Sequence, residues 1–164
     1  MPEIVLETWI DAPIERVFDL SLSVDMHTAS AAQTGEKAVD GVTTGLLSLD
    51  DEVTWEGRHF GVRQRLTSRI TAFDRPHHFR DSMVSGAFRR FDHDHFFEVH
   101  GTRVLMRDVF DFDAPLWVLG HLANALFLTR YMRRFLVQRN AVIQSVAESE
   151  QWRTYLSPSG DPST

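Results

Sequence analysis

The chain has 164 residues, a length that suits one domain and leaves little room for two. A formal charge of −6 opposes the phosphate attraction on which nucleic-acid affinity rests, and no apolar run reaches the roughly 18 residues that stable membrane insertion of a helix needs. The absence of cysteine excludes disulfides, thiol nucleophiles and thiolate metal sites, while 12 Phe and 4 Trp against 2 Tyr point to a wide apolar interior with few hydroxyl groups.

The opening MPEIVLETWIDAP carries acids where a secretory signal needs a basic segment, so a cytoplasmic protein is expected. Residues 3–10 alternate, with Ile4, Leu6 and Thr8 on one side, as a half-buried strand does. Asp11-Ala12-Pro13 then supplies a capping acid and a proline suited to a first helical turn, predicting a helix over 13–22 and a second, shorter one after Asp25. Gly35, Gly41 and Gly45 punctuate residues 34–50, which favours short strands joined by turns.

From Glu52 onward strands are expected over 52–59, 62–73, 78–86, 88–99 and 103–112. Their joints, Phe60-Gly61, Asp74-Arg75-Pro76, Gly86-Ala87 and His100-Gly101, are short enough to make an antiparallel meander. After Ala114-Pro115 the period changes. Leu119, Leu122, Leu126, Leu136, Val142, Ile143 and Val146 recur at spacings of three and four, predicting a helix over 116–150, or two bent near Gly120. Residues 1–152 read as one domain and 153–164, ending SPSGDPST, as a flexible polar tail. The fold class is α+β: a curved antiparallel sheet of six to seven strands around a long C-terminal helix, with two short helices after the first strand.

Alternation assigns faces. Trp55, His59, Gln64, Asp81 and Met83 fall on the inward face with Phe91, His93, His95 and Phe97 of the next strand and Met106, Asp108 and Phe110 of the last. Glu56, Arg58, Arg65, Arg80, Asp94 and Arg107 fall on the other, solvated face. An apolar concave face interrupted by His59, Gln64, Asp81, His93, His95 and Asp108 has several explanations, because buried polar groups need partners. They can satisfy one another as imidazole–carboxylate pairs, or orient the polar end of a small hydrophobic ligand. A His93-x-His95 pair completed by His59 or a carboxylate could also hold a metal, and a His–Asp pair could move protons. No closed metal motif, nucleophile elbow, phosphate loop or dinucleotide fingerprint occurs, so no metal or cofactor is expected and catalytic residues stay unassigned. The ligand-binding set is accordingly the twelve inward residues named above. The basic run 130–134 reads as a solvated helix face, with an anion or membrane patch as the alternative.

The order of an opening strand, IDAPIERVFDL, a long meander and a terminal helix ending LVQRNAVIQSVAE resembles the SRPBCC superfamily over residues 3–150. That superfamily includes START lipid-transfer domains, polyketide cyclases and aromatases, and the birch-pollen-allergen group. Within it, VTWEGRHFGVRQRLTSRITAFDRP, FRDSMVSGAFRRFDHDHFFEV and RDVFDFDAPLWVLG resemble a bacterial subgroup described only as cyclase/dehydrase-like. The resemblance implies the helix-grip fold, with a lipid, isoprenoid or aromatic, polyketide-like molecule between sheet and long helix. It carries over no catalytic residue. Cyclase- or dehydratase-type chemistry by a His–Asp pair in the same cavity stands as the alternative to binding alone.

Overall fold

The computed structural model describes residues 2–114 and 122–156. β1 (Glu3–Ile10) buries Ile4, Leu6 and Ile10, every second or fourth residue, and leaves Val5 and Trp9 outside. It leads into α1 (Ile14–Leu22) and α2 (Val24–Ser30). Asp11 is the cap that the sequence predicts for α1, but Pro13 holds the N-cap position and no side chain bonds there. Asp11 instead donates its backbone N–H to Glu148 Oε1 at 2.9 Å, a tie that fastens the strand exit to the far end of the chain. α2 has a side-chain cap: Ser23 Oγ accepts from the Met26 N–H at 3.1 Å.

The glycine-punctuated stretch forms one strand, β2 (Lys37–Gly41), plus an isolated bridge between Ser23 and Leu46. Gly41 has φ +73°, and a Cβ there would stand 2.2 Å from the Glu52 carbonyl oxygen, so β2 can approach β3 (Glu52–His59) only with glycine. The meander continues through β4 (Val62–Asp74), β5 (His78–Ser85), β6 (Arg90–His100) and β7 (Arg103–Asp113). β1 returns to pair with β7, giving one curved antiparallel sheet in the order β1-β7-β6-β5-β4-β3-β2.

α3 (Leu122–Ala147) crosses the concave face. Its Leu128 and Leu136 pack with Phe91, Phe110 and Phe112, while Ile143, Val146 and Ala147 pack with α1. Phe18 of α1 fills the space between, its ring edge-on to Phe73, Phe79 and Phe97 at centroid distances of 5.7, 5.5 and 5.2 Å. The expected helix start at 116, Leu119 and the bend at Gly120 lie outside the described residues. Residue 153, expected to open a flexible tail, lies instead in α4 (Trp152–Leu156), whose Trp152, Tyr155 and Leu156 pack on the α1 core. Apolar residues one helical turn apart repeat the pattern of α3, and Arg16 covers the Trp152 ring at 4.4 Å. Among the described residues, no helix is long and apolar enough to cross a membrane.

Candidate functional site

Sheet and α3 enclose a cavity of about 530 Å³ with a predominantly apolar wall. Trp55, His59, Gln64, Asp81, Phe91, His93, His95 and Phe110 of the expected set line it. The other four do not. Phe97 and Met106 lie further along β6 and β7, where α1 covers the concave face, and are wholly packed in the core. Met83 packs on the cluster around Phe110 and Leu136. Asp108 has no exposed surface and sits behind the wall. Alternation assigns the face of these side chains correctly; it carries no information on how far along each strand the cavity extends.

The sheet register places Asp81 directly across from His93 and His95 directly across from Asp108. The hydrogen bonds run diagonally: His95 Nε2 to Asp81 Oδ1 and His93 Nε2 to Asp108 Oδ1, each at 3.1 Å. His95 Nδ1 is 2.7 Å from Asp108 Oδ1, yet the carboxylate lies off its bonding direction, and this nitrogen is buried without a hydrogen-bond partner. Asp108 is held from behind by Asn140 Nδ2, which donates to Oδ2 at 2.6 Å, with Arg139 Nη1 3.7 Å from Oδ1.

Burial would raise both carboxyl pKa values, but hydrogen bonds and charge from the imidazoles outweigh it. Asp108 is held well below the ordinary carboxyl value and Asp81 is also lowered. Burial and the neighbouring His95 ring, centroid 3.9 Å away, lower His93. Burial alone would lower His95 too, but the carboxylates of Asp108 and Asp81 beside its two nitrogens raise it. Asp81 keeps 23% of its side chain exposed, and that surface faces the cavity.

The sequence places His59 in this same cluster; the structure separates it. It ends β3 beside the turn Phe60-Gly61, both residues with positive φ as a tight hairpin turn demands. There its Nε2 is 2.9 Å from Glu36 Oε1 and its Nδ1 2.8 Å from the Tyr131 hydroxyl. His27 Nε2 bonds the other Glu36 oxygen at 2.8 Å. His59 thus bridges the Glu36 carboxylate and the Tyr131 phenol. Burial would raise Glu36, but hydrogen bonds from His27 and His59, with their charges, lower it to about 2. Burial and the Glu36 charge raise Tyr131.

Glu36, His27, Tyr131 and Arg139 also line the cavity, and the reading by alternation misses them. Arg139 and Asn140 are legible in principle: they fall three and four residues after Leu136 and four and three before Ile143, so two polar residues occupy the buried stripe of α3. Glu36 gives no such signal, because it lies in the connection between α2 and β2, where no period assigns a face.

No protein-family model matches the chain, and no curated protein matches its sequence. Solved structures do match. Protein TTHA0849 of Thermus thermophilus superposes with a TM-score of 0.68 at 16% identity, over 89% of this chain and 99% of the other. Ginseng major latex-like protein 151 of Panax ginseng gives 0.63 at 15% identity, over 90% and 98%. Ara h 8.0201 gives 0.61 at 11% identity, over 88% and 98%. The chain thus has the helix-grip fold that these structures share.

Proposed function

We propose that the protein binds a small, largely apolar molecule, a lipid, isoprenoid or aromatic metabolite, in the cavity between the sheet and α3. The observation that carries this reading is the cavity itself: about 530 Å³ walled by Trp55, Phe91, Phe110, Leu128 and Leu136, with a few convergent polar groups. Asp81, His93, His95 and Arg139 would hold the ligand's polar end, since each reaches the cavity and is fixed from behind. Native mass spectrometry of protein purified from its own host should show a bound mass that dissociates on denaturation. Trp55 fluorescence should change when the stripped protein is titrated with that compound. A protein that carries no ligand and leaves Trp55 unperturbed by a panel of lipids, isoprenoids and aromatics would overturn the proposal.

Proton transfer of cyclase or dehydratase type is the second reading, supported by His93, which faces the cavity and is backed at Nε2 by Asp108. It requires turnover of a bound polyketide-like substrate that His93→Gln abolishes while binding persists.

A further inference from the structure

We propose that Asp81, His93 and His95 form a binding site for a divalent transition-metal ion, zinc in particular, whose remaining coordination position opens into the cavity. One ligand atom from each of the three residues lies within 4.8 Å of the other two. Asp81 Oδ1 is 3.1 Å from His95 Nε2 and 3.8 Å from His93 Nδ1. Donors around a tetrahedral zinc with bonds of about 2.0–2.2 Å stand roughly 3.3–3.6 Å apart, so small side-chain movements complete the set. Two imidazoles and a carboxylate are the donors of a zinc or non-haem iron centre, whereas calcium and magnesium prefer oxygen alone.

What lies behind the three donors argues against a mere buried network. Ligating histidines characteristically hand their second nitrogen to a carboxylate, and here that nitrogen lies beside Asp108 in both imidazoles, hydrogen-bonded at 3.1 Å in His93 and 2.7 Å away but off the bonding direction in His95. Asp108 has no exposed surface and is fixed by Asn140 at 2.6 Å, so it orients both rings without itself reaching the cavity. For His95 Nδ1 this leaves a buried nitrogen without a hydrogen-bond partner. A slight turn of the ring that brings Nε2 to a metal would aim Nδ1–H at Asp108. Charge agrees as well, since two carboxylates against the single guanidinium of Arg139 leave room for a cation. Among the described residues no other group of histidines and acids converges in this way. The inference departs from the sequence expectation of no metal, and it stands apart from the ligand reading, because metal uptake needs no apolar molecule.

Chelator-stripped protein should take up one equivalent of Zn2+, measured by competition with a chromophoric chelator, and Co2+ should give the visible bands of a nitrogen- and oxygen-ligated ion. Asp81→Asn and His95→Gln should each weaken Zn2+ binding by about a hundredfold or more. X-ray absorption of the zinc-loaded wild type needs no variant and should count two imidazole ligands. No stoichiometric uptake, full affinity in Asp81→Asn, loss of the metal in His27→Ala instead, or an imidazole count other than two would each overturn the proposal.

Discussion

A carboxylate with no exposed surface stays charged only if its partners outweigh the cost of burial, and Asp108 has His93, Asn140 and the nearby His95 and Arg139. Asp108→Asn keeps the shape and removes the charge, leaving the cationic partners uncompensated. It should therefore lower stability by about 3–5 kcal/mol in urea unfolding. Asp81, whose carboxylate partly faces the cavity, has a way to solvent, and Asp81→Asn should cost clearly less. Equal losses would show that the cavity gives Asp81 no such relief. Glu36 supplies the pH-dependent case. Its carboxyl is lowered from 4.5 to about 2 by His27 and His59. The stabilisation is thus fully present above about pH 4.5 and lost as pH falls toward 2, on the order of 3 kcal/mol in all. Melting curves of wild type and Glu36→Gln should lie apart at pH 6 and converge as pH falls to 2; a gap that persists at low pH would refute the ion-pair origin.

Within one element, β6 serves two purposes. Phe91, His93, His95 and Phe97 all project to the concave side, but Phe97 meets Phe18 and Phe79 in the core while His93 and His95 meet the cavity. The consequence is that stability and binding separate along a single strand. Phe97→Ala should cost about 3–5 kcal/mol through lost contact and the void left behind. Ligand affinity of the protein that remains folded should be close to wild type, and a large loss of affinity would mean that the cavity extends further along β6. α3 shows the same division, with Ile143 and Val146 in the core, Leu128 and Leu136 on the cavity, and Arg139 and Asn140 between them.

For the molecule as a whole, an internal cavity is a place where folding and binding share one free energy. A ligand at a hundred times its dissociation constant should add about 2.7 kcal/mol to stability, read as a rise in melting temperature. Ser68 lines the cavity from β4 and is buried. Ser68→Phe should occupy part of the space, and the ligand-induced rise should shrink or vanish while the unliganded protein still folds. An undiminished rise would place the ligand elsewhere. The sequence by itself determined β1, the meander from β3 to β7, the two short helices after β1 and the inward face carrying Asp81, His93, His95 and Asp108, because these depend on periods of 2 and 3.6 that each residue expresses locally. Only the tertiary structure decided that His59 joins Glu36 and Tyr131 and leaves the other histidines, that the imidazole–carboxylate bonds run diagonally, and that Phe97 and Met106 belong to the core. Those outcomes depend on register and on which helix lies over which stretch of strand, and long-range contacts leave no local period behind.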